Sequence, residues 1–251
     1  MSTLTYTRFE LLRTLRNRQT FIFTVAFPVV MYFLLASPNK NNHNFGGDAN
    51  THTGLFAPQY YMVGLLSFGA MVAVLSGGAR IAAERTIGWN RQLRLTPLSA
   101  IGYLRTKLVT SYVMALATIV LLYAAGIVMG VRLPLVNWLE MTGLIILALI
   151  PFAALGIGMG HLLNDDAAGG AIGGGVGLFA FLGGTWFPIT GGGLFVSFCQ
   201  SLPSYWLVQA GHVGLGASSP WGAKAWFVIA VWSVATISFA TWAYRRDTKR
   251  V

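Results

Sequence analysis

Stretches without a charged residue divide this chain. Thr20–Ser37, Leu55–Ala79, Leu108–Val131, Met141–Leu163, Ala167–Ala223 and Ala225–Tyr244 contain no Asp, Glu, Lys or Arg, and they run for 18, 25, 24, 23, 57 and 20 residues. A helix needs about 20 apolar residues to cross a bilayer. The pattern predicts an all-α integral membrane protein with six transmembrane helices, at about 20–36, 60–76, 108–129, 138–163, from 167 onward, and 225–244. The longest stretch exceeds one span. Gly fills 11 of its first 27 positions, and small residues of this kind let helices approach closely in a bilayer. After Pro188 it stays apolar but broken, through Pro203, Tyr205 and Trp206. We read that part as outer re-entrant helices; the alternative is a seventh span at 193–210.

The polar stretches carry a second pattern. Before the first span, Leu4, Leu11 and Leu15 share one helical face, with Leu12 beside them. This segment, 1–19, predicts an amphipathic helix resting at the membrane interface, or else an extension of the first span. Glu10 falls in its polar part and is expected to matter less than Glu84. An outer loop, 37–58, is rich in Asn and Gly. A basic segment, 79–107, separates the second span from the third, with Ser99 placed to cap the third-span helix. We take the chain as one transmembrane domain, 1–251: spans 1 and 2 in 20–78, spans 3 and 4 in 108–163, span 5 and the outer region in 167–224, and span 6 with a basic tail in 225–251. The first span reads as an uncleaved signal anchor.

Composition agrees. Of the 251 residues 55% are apolar and 10% charged, against about 25% charged in a soluble domain; a water-soluble enzyme and a disordered chain are excluded. One cysteine, Cys199, excludes an internal disulfide. The net charge of +10 suggests nucleic acid until its distribution is followed. With both termini inside, 14 of the 17 basic residues lie in inner segments and three (Lys40, Arg132, Lys224) in outer ones. That asymmetry is the positive-inside pattern. It assigns the charge to topology and anionic membrane lipid, with no nucleic acid partner.

Catalytic and metal chemistry find no support. There is no G-x-x-x-x-G-K-[ST] phosphate loop and no H-E-x-x-H. His161 and Asp165 stand at i, i+4, but two ligands are too few for a metal, and Asp165 reads as a turn cap. We expect no catalytic residue, no metal and no cofactor. The chemically informative stretch is Ala82 to Ser99, with Glu84-Arg85, Gly88, Leu93 and Thr96-Pro97-Leu98-Ser99. Its apolar and basic residues suit a short helix at the inner surface, either docked on a cytosolic partner or lying on the membrane.

That stretch resembles the first cytoplasmic loop of ABC-2 type ABC transporter permeases, whose pattern runs Glu-Arg, Gly, Leu, then Thr/Ser-Pro-hydrophobic-Ser. Thr86 stands where the family often has a second glutamate. Gly183-Gly184-Thr185-Trp186-Phe187-Pro188 and Leu202-Pro203-Ser204-Tyr205-Trp206 are similar to that family's span-5 exit and outer helices. In length and style the chain looks most like the daunorubicin-resistance, multidrug-efflux branch. The resemblance implies a non-enzymatic permease subunit in the cell membrane, working as a homodimer or with a homologous permease. A separate cytosolic ATP-binding subunit would drive export of a hydrophobic or amphipathic small molecule. Export of a lipid or polysaccharide precursor is the alternative within the family, and a channel or scaffold without an ATPase the alternative outside it. The resemblance puts Glu84, Arg85, Gly88, Leu93, Thr96 and Pro97 at the coupling to the ATPase. We expect Phe68, Met71, Gly175, Gly177, Phe179 and Phe181 along the substrate path, and Pro188, Pro203, Tyr205 and Trp206 in the outer re-entrant region.

Cysteine labelling checks the orientation. In a Cys199→Ser background, Lys249→Cys is expected to stay unreactive to an impermeant reagent added to intact cells. External labelling there overturns the six-span arrangement.

Overall fold

The structure, a computed structural model, describes residues 3–45, 55–89, 92, 99–189, 192–216 and 221–248. Among them every regular element is a helix, and the one extended pairing is the isolated antiparallel bridge Phe45–Leu55. The N-terminal segment forms α1, Thr3–Arg16. Asn17 interrupts it and caps the next helix, its side-chain oxygen accepting from the Thr20 amide at 3.0 Å. From there α2 (Arg18–Phe21), a π turn (Ile22–Ala26) and α3 (Phe27–Ala36) run as one rod. The π turn sits ahead of Pro28. Proline cannot donate to the carbonyl four residues back, here Thr24. The Thr118 hydroxyl donates to that carbonyl instead, at 3.0 Å.

Helix α4 covers Ala57–Thr86 and differs from expectation at its end. It runs unbroken through Arg80, Glu84 and Arg85, so Glu84 and Arg85 form the last turns of the second span's helix and not a separate surface helix. The alanines at 79, 82 and 83 favour helix, and Arg85 suits the negative end of the helix dipole. Helix α5, Ala100–Val128, begins where Ser99 accepts from the Gly102 amide at 3.1 Å, the expected cap. It therefore takes in Arg105 and Lys107, which the sequence had placed in the inner loop. Helices α6 (Leu135–Ala148) and α7 (Ile150–Leu162) are one rod jointed at Leu149, where Pro151 interrupts the amide ladder. Helix α8, Asp165–Leu182, is capped by Asn164, whose side chain accepts from the Ala167 amide. Asp165, expected to cap, lies with Asp166 in the first turn, where the dipole favours a carboxylate. Two short helices follow, α9 (Leu194–Gln200) and α10 (Pro203–Val213), and then α11, Ala223–Thr248.

Five helical rods among the described residues are long and apolar enough to cross a membrane: Arg18–Ala36, Ala57–Thr86, Ile101–Val128, Leu135–Leu162 and Ala223–Asp247. The expected fifth span, α8, is a continuous helix of 18 residues. Its glycines and its two aspartates keep it outside that group.

Helix α4 is the buried axis, packed on α3, α5, α7, α8 and α10. The peripheral rods expose Phe21, Val30 and Leu34 on one side and Phe227, Val234 and Ile237 on another. Such surface is unfavourable in water, and hydrocarbon accepts it. Glycines set the closest approach in the core. A Cβ on Gly78 would collide with the Gly156 carbonyl, and one on Gly160 with the Gly78 carbonyl. On α8 the glycines do the opposite. Ala168, Ile172, Val176 and Ala180 are its buried stripe, whereas a Cβ on Gly169, Gly170, Gly173, Gly174, Gly175 or Gly177 would meet nothing within 4 Å.

Two substitutions separate these roles. Gly78→Leu is expected to destabilise the chain by at least about 1–3 kcal/mol, because two backbones must separate. Gly177→Leu is expected to leave its melting temperature unchanged or slightly raised, since glycine is a poor helix former. Thermal unfolding in detergent micelles is the measurement; equal destabilisation by both contradicts the assignment of the seam.

Candidate functional site

Three helices meet at the end of α4 and bury their charges there. Tyr6, Glu10 and Thr14 are spaced four apart on α1 and form its buried stripe. The α1 leucines face away: Leu4, Leu12 and Leu15 are exposed. Lys107 of α5, 1% exposed, lies between two carboxylates. Its Nζ donates to Glu10 Oε1 at 2.5 Å and to Glu84 Oε1 at 2.6 Å. Tyr103 OH donates to Glu84 Oε2 at 2.7 Å, and Arg13 Nη1 to Glu84 Oε1 at 2.9 Å. The Thr7 and Thr106 hydroxyls meet at 2.9 Å, closing the seam between α1 and α5. Burial beside Glu84 and Glu10 pushes the Tyr6 phenol well above its ordinary value, so it stays neutral.

Arg85 follows Glu84 by one residue and so points about 100° away around the helix. It reaches α7 and α11. Its Nη1 donates to the Gly160 and Leu163 carbonyls at 3.0 and 3.2 Å, satisfying groups at the α7 C-terminus. Its Nη2 pairs with Asp247 Oδ1 at 2.8 Å. Asp247 in turn meets His161 Nδ1 at 3.0 Å. The foot of α4 is thereby tied to α1 and α5 on one side and to α7 and α11 on the other.

Glu10 is the main correction at this site. Placed in the polar part of the N-terminal segment and expected to matter less than Glu84, it is 3% exposed and shares Lys107 with Glu84. The spacing of Tyr6, Glu10 and Thr14 was a readable signal for a buried polar face. Lys107 was missed because it counted as a loop charge. The other coupling residues lie further on. Gly88 adopts φ +72°, where a side chain is strained, and Ile87 before it is exposed. Leu93, Thr96 and Pro97 fall outside the described residues.

The residues expected along a substrate path are spread out. Met71 is a core residue, 1% exposed. Phe68 packs between Phe27 and Trp186, and Phe179 against Phe152. Phe181 is exposed, on the same helix as the uncovered Gly175 and Gly177. In the outer region Pro188 follows the α8 exit, and Pro203 starts α10. Tyr205 and Trp206 are buried, with Trp206 Nε1 donating to the Gln200 carbonyl at 2.8 Å. No group of three or more metal-ligating side chains occurs among the described residues. His161, weighed as a ligand, is paired with Asp247.

Comparison with known proteins bears on this arrangement. Residues 53–243 match the family model described as ABC-2 family transporter protein. The chain is 28% identical over 212 residues to YvfS of Bacillus subtilis (strain 168), a protein named by inference as a transport permease; the match covers 83% of this chain and 80% of that protein.

The burial pattern ranks substitutions at the junction. Lys107→Ala strands two buried carboxylates and is expected to cost about 3–5 kcal/mol. Glu84→Ala, which loses Lys107, Tyr103 and Arg13, and Glu10→Ala, which loses Lys107, follow in that order. Arg13 is 57% exposed, so Arg13→Ala is expected to cost less than about 1 kcal/mol. Denaturation in nanodiscs measures the order, and a loss at Arg13 equal to that at Lys107 contradicts it.

Proposed function

We propose, from the premise that this chain belongs to the ABC-2 family of transporter proteins, that it exports a hydrophobic or amphipathic, drug-like molecule across the cell membrane. It is a membrane permease of an ABC transporter. In our reading both termini are cytoplasmic, α8 also crosses the membrane as the fifth of six spans, and ATP is hydrolysed by a separate cytosolic subunit. The chain pairs with a second copy or a homologous permease.

One observation carries the coupling half of this reading: the foot of α4 is clamped to four other helices. A force applied to the loop after Thr86 enters α4 through Gly88 and Ile87. The buried Glu84–Lys107–Glu10 contacts and the Arg85–Asp247 pair pass it to α1, α5, α7 and α11 together, without slack at the joint. Exposed Ile87 offers an apolar contact to the ATP-binding subunit. The uncovered glycine face of α8 supports pairing, since a second permease can approach it without displacing a side chain. Phe181 and the α8 glycines then flank the path, and Phe68 and Phe179 stand behind them.

Arg80 favours a second reading, export of a lipid or polysaccharide precursor. Its Nη2 donates to Ser111 Oγ at 3.1 Å, while Nε and Nη1 are buried without a hydrogen-bond partner. A phosphate group on a substrate would satisfy both.

Proteoliposomes holding the permease and its ATP-binding subunit test the proposal. Gly88→Leu is expected to cut ATP-driven export at least about tenfold while the subunits still co-purify, because the substitution strains a positive-φ turn by ~1–2 kcal/mol in a coupling loop. Gly177→Leu is expected to fold normally and lose transport. Stimulation of ATP hydrolysis by apolar drugs supports the first reading, and stimulation by lipid-linked phosphates alone replaces it with the second. Parental export by both variants removes the loop and the α8 face from the mechanism.

A further inference from the structure

Helix α1 and the first turns of α5 enclose an open groove of about 710 Å³ beside the charged junction. Leu4, Leu11, Leu12 and Val109 give it an apolar bed, and Arg8 and Arg105 bring two cations to it, one from each helix. Both arginines are exposed, and neither has a carboxylate within ion-pair distance among the described residues. The neighbouring acids are already engaged: Glu10 and Glu84 by Lys107 and Arg13, and Asp247 by Arg85 and His161. The groove therefore joins an apolar trough to two uncompensated guanidinium groups, at the end of the helices where basic residues concentrate.

We propose that this groove binds one anionic phospholipid of the cytoplasmic leaflet. An acyl chain lies along Leu4, Leu11, Leu12 and Val109, and the phosphodiester sits between Arg8 and Arg105. Guanidinium groups match phosphate with paired donors, and basic side chains beside a bilayer attract anionic headgroups. An acidic protein segment would answer the arginines and leave the leucines uncovered, whereas a phospholipid answers both. The occupant clasps the two helices that also share the Thr7–Thr106 and Glu10–Lys107 contacts. It thus acts as a third tie between α1 and α5. The proposal rests on the cytoplasmic placement of this end and not on the substrate or on export.

The test uses the full chain purified in uncharged detergent. Melting temperature and native mass spectrometry are followed as phosphatidylglycerol, phosphatidylcholine or inorganic phosphate is added. Phosphatidylglycerol is expected to be retained and to raise the melting temperature, while the other two leave it unchanged. An Arg8→Gln/Arg105→Gln variant is expected to bind phosphatidylglycerol roughly tenfold or more weakly. Arg16→Gln, on the same helix outside the groove, is expected to keep parental affinity, and Leu12→Gln to lose affinity with the arginines intact. Unchanged affinity in the double variant overturns the proposal. Stabilisation by inorganic phosphate alone reassigns the groove to a soluble anion. Loss of the ATP-binding subunit from the double variant, with lipid binding intact, reassigns the arginines to a protein contact. No arm requires transport, so an error about export leaves the outcome readable.

Discussion

A lysine buried between two glutamates holds this protein's lower half in register. Lys107 is nearly without exposed surface, and so are Glu10 and Glu84 on either side of it. Isolated, any of the three would be expelled from a low-dielectric interior at a cost of several kcal/mol. Together, with the Tyr103 hydroxyl and Arg13 added, they are tolerated in one geometry. Three helices from distant parts of the chain have to meet there, or each carries an unpaired charge. Removing one member leaves the others buried and uncompensated, which penalises any packing that separates them.

The second half of the foot works by hydrogen-bond geometry. Arg85 has donors in a fixed fork, and it divides them between two backbone carbonyls at a helix end and one carboxylate on the last helix. A lysine would supply charge without that division. Adjacent residues on one helix thus serve opposite neighbours, Glu84 toward α1 and α5 and Arg85 toward α7 and α11. In our reading of a permease driven from outside the bilayer, a joint fixed on both sides passes on more of the driving movement than a flexible one.

Much of the fold was legible because hydrocarbon imposes a simple rule. Uncharged stretches near 20 residues marked the rods, and Ser99 marked where α5 begins. Of the α1 leucines, Leu4, Leu12 and Leu15 are exposed and Leu11 is half-buried. What failed were charges whose partners lie on other helices. Arg80, Glu84, Arg85 and Lys107 looked like loop residues because polarity alone does not separate a solvated charge from a paired one. Glycine serves two uses that composition does not separate. A Cβ on Gly78 or Gly156 would press into the facing backbone, whereas one on any of the six open α8 glycines would meet nothing within 4 Å. Met71 looked like a path-lining residue and proved to be core, since apolar side chains in a span have the same chemistry whether they face a neighbour or a cavity.

The Thr24–Thr118 hydrogen bond and the Glu10–Lys107 pair span 94 and 97 residues of sequence. At a synthesis rate of roughly 5–20 residues per second, the first helices wait about 5–20 s for these partners to emerge. Through that interval Glu10 has no buried lysine to meet, so α1 cannot yet occupy its final seat. Its exposed leucines give it somewhere to wait, against the surface of the bilayer. Seating of α1 therefore comes no earlier than the emergence of α5, well after α1 itself has been made.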